Sequence, residues 1–174
     1  MQPTIEKSIA LLDLKEGMKA AEFGAGMGFY TRVLSTRVGP TGKVFAIEIQ
    51  KELIRKLEDE LKRLNVSNVE FVWADAEAKE GTMLADGSMD AVIMANVLFQ
   101  AEDKVGMVDE AKRILKRTGK VLLIDHTNNF SGMGASSDFI LTEKSAQELF
   151  EKRGFVFDKK APADMFHFGM IFKL

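Results

Sequence analysis

The sequence predicts an α/β fold: a doubly wound, mainly parallel sheet with helices on both faces. Three observations predict it. Strand-like and helix-like segments alternate along almost the whole chain, the pattern of a mainly parallel sheet. A glycine-rich turn, Gly24-Ala25-Gly26-Met27-Gly28, joins the first apolar run to the first main helix. The last two strand-like segments have no helix between them, so they should pair antiparallel as a hairpin.

The elements follow in order. Ile5, Ile9, Leu11 and Leu12 predict a short leading helix within residues 1–17. Ala20 to Phe23 reads as the first strand and Phe29 to Val38 as the first main helix. Gly39-Pro40-Thr41-Gly42 is a turn before a second buried strand, Lys43 to Ile47. Lys51 to Leu64 has the clearest helical period, with Leu53, Leu57, Leu61 and Leu64 on one face and charged residues elsewhere. Val69 to Trp73 and Met89 to Ala95 are the third and fourth strands. Lys104 to Leu115 reads as helical despite Gly106, with Val105, Val108 and Leu115 facing inward. Gly119 to Ile124 is a fifth strand, and Asn128 to Asp138 is loop-like. Thr142 is the expected N-cap of a helix ending at Gly154, with Lys152 and Arg153 in its last turn. Phe155 to Lys160 and His167 to Lys173 are the closing strands.

A length of 174 residues argues for one domain, 1–174. Residues 18–125 would form its cofactor-binding half, and residues 126–174 a C-terminal half with a substrate-side loop and the hairpin. Hydrophobic residues make up 46% and charged residues 29%, which places the chain among soluble globular proteins. The net charge of -2, with a pI near 5.8, gives no global electrostatic footprint for nucleic acid, so nucleic acid is not an expected partner. The lack of cysteine excludes disulfides, thiolate metal sites and Cys nucleophiles. The opening residues lack the basic-then-apolar order of a signal peptide, and an intracellular, cytoplasmic location is expected. Ala91 to Phe99 is far shorter than the ~20 residues that span a bilayer.

In parallel α/β sheets, ligands bind outside the carboxyl ends of the strands. The glycine turn follows the first strand there. Its G-x-G-x-G spacing differs from the G-x-G-x-x-G of dinucleotide binders, because Phe29 occupies the sixth position. That spacing points to the adenosine-methionine cofactor of methyltransferases rather than NAD. Glu48 follows the second strand, where an acid can accept hydrogen bonds from both ribose hydroxyls. Asp75 follows the third, Asn96 the fourth, and Asp125 with His126 the fifth.

This ordered set resembles the class I S-adenosylmethionine-dependent methyltransferases, in particular small relatives of the ubiquinone/menaquinone C-methyltransferases. The residues that carry the resemblance are Glu22 through Thr31, Val44 through Glu48, Ala74-Asp75-Ala76, Asp90 through Leu98 and Leu115 through Lys120. His167 through Phe172 is similar to the family's last strand. The resemblance implies a Rossmann-like seven-stranded sheet of order 3-2-1-4-5-7-6 with strand seven antiparallel. It implies S-adenosyl-L-methionine as cofactor and S-adenosyl-L-homocysteine as product. Gly24, Gly26 and Gly28 would let the loop approach the methionine part, with Glu22, Ala25, Tyr30 and Thr31 in the same motif. Glu48 would bind the ribose, and Ile49 would pack on the adenine. Asp75 would accept from the adenine amino group, the Ala76 amide would face a ring nitrogen, and backbone around Asn96 would contact the ammonium.

Methyl transfer needs few catalytic groups, because the sulfonium already activates the methyl; the protein mainly aligns the nucleophile behind it. A general base helps only where the nucleophile must lose a proton. His126, with Asp125 beside it, is the expected base; one acid and one histidine do not make a metal site, and none is expected. Aromatic and methionine residues near the expected cofactor edge, among them Phe29, Phe99, Phe130, Met133 and Phe166, suggest a small, partly apolar acceptor. The family's Asn-x-Leu-His-His pattern departs here to Asn96-Val97-Leu98-Phe99-Gln100, so no role rests on those histidines. That departure, and the lack of room for a substrate-covering domain, motivate an alternative: a catalytically inactive cofactor-binding or partner module. A nucleotide-linked oxidoreductase is a third reading, opposed by the glycine spacing. The leading helix, the Asn128 to Asp138 loop and a second subunit are the expected lid, the last implying a homodimer.

Overall fold

The computed structural model describes residues 2–127 and 141–174. The elements run α1 (Gln2–Ala10), β1 (Lys19–Phe23), α2 (Phe29–Val38), β2 (Lys43–Glu48), α3 (Lys51–Arg63), β3 (Val69–Trp73), β4 (Met89–Ala95) and a 3-10 turn (Leu98–Gln100). They continue with α4 (Lys104–Ile114), β5 (Leu115–His126), α5 (Glu143–Lys152), β6 (Val156–Lys160) and β7 (His167–Lys173). The seven strands form one sheet in the order β3-β2-β1-β4-β5-β7-β6, as the resemblance implies. β7 runs antiparallel to both β5 and β6, and the remaining pairs are parallel.

Strand side chains alternate between two cores, which is why these strands are apolar on both faces. Ala20, Val44, Ala91, Ile93 and Leu122 meet Ile5 and Ile9 of α1 and Leu34 and Val38 of α2. Their neighbours Ala21, Phe45, Val92 and Leu123 meet Met107, Ala111 and Ile114 of α4 and Phe150 of α5. Phe150 stacks on Phe172 of β7 with ring centroids 4.2 Å apart. Each fully buried side chain of this size contributes about 1.5–3 kcal/mol. α3 packs Leu57 and Leu61 against Ala46 and Ala25.

β1 has β2 on one side and β4 on the other, so the chain winds outward from β1 in both directions. Loops leaving the carboxyl ends of β1 and β4 therefore diverge and open a crevice at this switch point. The site lies there.

Several boundaries differ from the sequence reading. β5 begins at Leu115, not Gly119, because Leu115 pairs with Met89 before an irregularity whose extra residues lie in β5, ahead of the Ala91–Lys120 pair. Lys116 then reaches Asp90 at 2.7 Å. Leu115 thus belongs to a strand rather than to α4. Val105 is 43% exposed, because the inward stripe of α4 is Met107, Val108, Ala111 and Ile114. Leu64 lies just beyond the end of α3 and is 56% exposed. Gly106 sits in the first turn of α4 because a Cβ there would overlap the Glu77 carbonyl oxygen. Asp103 caps the same turn by accepting from the Gly106 N–H at 2.8 Å. Thr142 caps α5 as expected: its hydroxyl accepts from the Ser145 N–H, and its own N–H donates to the Ser145 hydroxyl, both at 2.9 Å.

Candidate active site

The loop after β1 is built by backbone conformation. Gly24, Gly26 and Gly28 all have left-handed φ, at 67°, 51° and 71°. A side chain would be strained at each. At Gly24 a Cβ would also lie 2.8 Å from Val97 Cγ2, and at Gly28 it would overlap Leu57 Cδ1. Above Gly26 the nearest atom to such a Cβ is 3.8 Å away. The loop is tied to β2 by the Ala25 N–H, which donates to the Ile47 carbonyl at 3.0 Å.

Two buried acids face this loop from different strands. Glu48, at the end of β2, accepts from the Gly26 N–H at 3.0 Å through Oε2 and from the Gln50 N–H at 2.9 Å through Oε1. Each carboxylate oxygen keeps a second lone pair for a ligand. Glu22, in β1, accepts from the buried Thr31 hydroxyl. Burial pushes the Glu22 carboxyl up to about 8, so it carries its proton at neutral pH.

The ends of β3 and β4 complete the walls. Asp75 is exposed and turns its loop by accepting from the Glu77 N–H at 2.9 Å; Ala76 beside it is buried. Asn96 has a φ of 57° and donates its N–H to the Ile124 carbonyl at 2.9 Å. Trp73 donates its indole N–H to the Ile49 carbonyl at 2.9 Å, and Lys51 Nζ lies 3.5 Å from its ring centroid. These contacts brace the Ile49 segment.

Together these elements enclose a cleft of about 470 Å3, within the usual range for small-ligand sites. Glu22, Gly24, Ala25, Gly26 and Tyr30 line it from the first strand, loop and helix. Glu48 and Ile49 line it from β2, Asp75 and Ala76 from β3, and Asn96 from β4. Gly28 and Thr31 do not line it. Gly28 turns the chain into α2 against Leu57, and Thr31 lies fully buried behind the wall on Glu22. The cleft also uses Gln50, Leu53, Glu77 and Val97, which the sequence reading did not single out. Leu53 carried a signal, since it follows Glu48 by little more than a helical turn, but its period assigned it to the core.

Asp125 and His126 lie elsewhere. Asp125 is fully buried, and accepts from the Phe99 N–H at 2.9 Å through Oδ2 and from the His126 N–H at 2.8 Å through Oδ1. Burial pushes its carboxyl up to about 6. The His126 ring stands edge-on to Phe99 with centroids 4.9 Å apart and tilts over His167 at 4.5 Å. Burial and the neighbouring His167 push His126 down. Neither Asp125 nor His126 lines the cleft. A smaller cavity of about 90 Å3 adjoins it, sharing Phe29, Tyr30 and Asn96. Thr4 and Ile5 of α1 line this cavity. The predicted lid loop, residues 128–138, lies outside the described residues.

The fold and this arrangement of strand ends define a class I S-adenosylmethionine-dependent methyltransferase architecture. The chain belongs to the methyltransferase domain family, whose model matches residues 14–167. It is similar to the ubiquinone/menaquinone biosynthesis C-methyltransferase UbiE of Pseudomonas savastanoi pv. phaseolicola, at 34% identity over 119 residues. That match covers 68% of this chain and 45% of the relative, so the chain spans less than half of that protein's length. A protein-L-isoaspartate O-methyltransferase of Methanothrix thermoacetophila is 40% identical over 65 residues, 37% of this chain and 31% of that one. Among solved structures, a SAM-dependent methyltransferase from Aquifex aeolicus superposes with a TM-score of 0.85 at 26% identity, covering 97% of this chain and 88% of that one. One relative is named for transfer to carbon and another for transfer to oxygen, so likeness alone does not set the acceptor.

Proposed function

We propose that this chain binds S-adenosylmethionine in the 470 Å3 cleft and transfers its methyl group to a small, partly apolar acceptor. One observation carries the reading: the charge of the cleft. Glu48, Asp75 and Glu77 line it beside the protonated Glu22, and among the described residues no Lys or Arg does. Such walls suit a ligand carrying sulfonium and ammonium charges. They oppose the diphosphate of a dinucleotide, whose negative charges the acidic walls would repel.

Bound S-adenosylmethionine supplies a methyl group already activated by positive sulfur. The chain supplies position. Bare main chain at Gly24 to Gly26 lets the ligand lie close, and the unused lone pairs of Glu48 receive the ribose hydroxyls. Ile49 packs on the adenine, Asp75 and the Ala76 amide read its edge, and the backbone at Asn96 meets the ammonium. Thr31 acts through Glu22, and Gly28 through the turn into α2. Asp125 is a positioning residue: by accepting from the Phe99 N–H it holds the segment after Asn96 in place. Alignment of this kind can supply about 7–11 kcal/mol of the barrier in favourable cases.

The test is transfer of labelled methyl from S-adenosylmethionine to quinol, phenol and amine acceptors and to cell extract. Labelling of an acceptor supports the reading. Binding of cofactor with no labelling anywhere would favour the non-catalytic module that Phe99 and Gln100, standing where the family has histidines, bring to mind.

A further inference from the structure

We propose that His167, oriented by Asp164, is the proton acceptor of the reaction, serving a hydroxyl-bearing acceptor held in the 90 Å3 cavity beside the cofactor cleft. This inference rests on the function just proposed. Three observations lead to it, all at the mouth of the closing hairpin.

The first is the histidine's fixed ring. His167 Nδ1 lies 2.6 Å from Asp164 Oδ1. The contact with His167 holds the Asp164 carboxyl below its usual range, so it is ionised and only accepts. Nδ1 therefore carries a proton and donates, so in the neutral ring the lone pair is on Nε2. Asp164 is itself held, because Oδ1 also accepts from the Phe166 N–H at 2.9 Å and its carbonyl accepts from the His167 N–H at 3.2 Å.

The second is that Nε2 is buried and has no hydrogen-bond partner among the described residues. A buried polar atom left so is rare and calls for an explanation, such as a ligand or a catalytic role.

The third is place. His167 and Asp164 line the small cavity with Ile5, Tyr30, Asn96 and Ile124. Tyr30 and Asn96 also line the cofactor cleft, so the two spaces adjoin. Its lining mixes apolar side chains such as Ile5, Phe29 and Ile124 with the polar Asn96, Asp164 and His167, which suits a small hydroxyl compound with an apolar body. The ionisable groups around His167 are Asp164 on its own loop, His126 and Asp125 on β5, and Tyr30 on α2. Burial keeps Tyr30 in its neutral form. His126, pushed down by burial, is neutral as well and does not compete for the proton at neutral pH.

The step balances without a further reagent. The acceptor hydroxyl gives its proton to His167 Nε2, and its electron pair forms the new bond to the methyl carbon. The carbon–sulfur bond breaks, and its electron pair stays on sulfur, leaving a neutral thioether. Asp164 is a positioning residue that keeps the ring in the competent tautomer. In this assignment His126 braces His167 rather than acting as the base.

The experiment compares the wild type with His167→Gln and Asp164→Asn at about pH 8.5 on two acceptors, 4-methylphenol, protonated at that pH, and 4-nitrophenol, almost fully ionised there. The expected result is a fall of about 10²–10⁴-fold in transfer to 4-methylphenol by His167→Gln. Transfer to 4-nitrophenol should fall far less, since that acceptor has no proton to lose. Asp164→Asn should show the same ordering with a smaller loss. Affinity for S-adenosylhomocysteine should stay within about twofold of the wild type, which also reports folding. Independently of turnover, the His167 imidazole nitrogen resonances should move when 4-methylphenol is added to the protein saturated with S-adenosylhomocysteine. Equal loss on both phenols, no loss on either, unmoved resonances, or a wild type that binds cofactor but methylates neither phenol would overturn the assignment. Failure to bind cofactor at all would instead bring down the function on which it rests, and the base with it.

Discussion

Glu48 Oε2 accepts from the Gly26 N–H at 3.0 Å, so the acid that ends β2 also holds down the glycine loop that leaves β1. Its other oxygen accepts from the Gln50 N–H at the start of α3. One carboxylate thus fixes two walls of the cleft before any ligand enters. Glu48→Ala leaves both N–H groups without their acceptor. Stability should fall by about 1–3 kcal/mol and cofactor affinity by a similar free energy, about 5–150-fold. Denaturant titration and calorimetry check the two effects separately; unchanged affinity would reject the ribose role.

Glu22 sets a pH dependence. Its carboxyl is pushed up to about 8 in the folded chain against an ordinary 4.5. Between those values the native state holds a proton that the unfolded chain has released, so stability falls as pH rises through that window, by at most about 1.4 kcal/mol per pH unit. Glu22→Gln should flatten this slope and raise the melting temperature at pH 8 more than at pH 5. A cationic ligand favours the ionised form, so cofactor binding near neutral pH should release a proton. Calorimetric heats should then vary with the ionisation enthalpy of the buffer, and cease to vary in Glu22→Gln.

Gly28 and Leu57 are coupled by space. An alanine at 28 meets Leu57 Cδ1 and a φ of 71° together. Strain and overpacking should cost about 2–5 kcal/mol. Shortening Leu57 relieves only the overlap. The double variant Gly28→Ala/Leu57→Ala should therefore be more stable than the sum of the two single losses by about 1 kcal/mol or more. Strict additivity in urea titrations would contradict the packing account.

Asp125→Asn tests the buried clamp at the end of β5. The amide offers one oxygen to two backbone N–H groups and sets its own NH2 against the other. A loss of about 1–3 kcal/mol is expected. Hydrogen exchange should quicken at the Phe99 amide first; unaltered protection there would contradict the positioning role.

The strand-end residues were legible because a parallel sheet gathers its carboxyl ends at one edge. Once Phe23, Ile47, Trp73 and Ala95 are read as strand ends, the residues after them must meet. Gly28 and Thr31 were harder to place. They adjoin cleft residues in sequence, but the left-handed turn at Gly28 and the phase of α2 send them behind the wall. The His126–His167 pairing depends on the register of β5 against β7, which brings the two residues opposite each other. No local pattern encodes that register. Asp164 stands in a connection that carried no periodicity at all, so its contact with His167 emerges only when the hairpin is built. Asp125 was seen as an acid beside a histidine; its real partners are backbone N–H groups, which leave no trace in side-chain chemistry.

The most direct test of the account is a calorimetric titration of the chain with S-adenosylmethionine and S-adenosylhomocysteine. Saturable binding of both is predicted, weakened in Glu48→Ala and unaffected by equimolar NAD. Heats no larger than dilution for either ligand at millimolar concentration would contradict it.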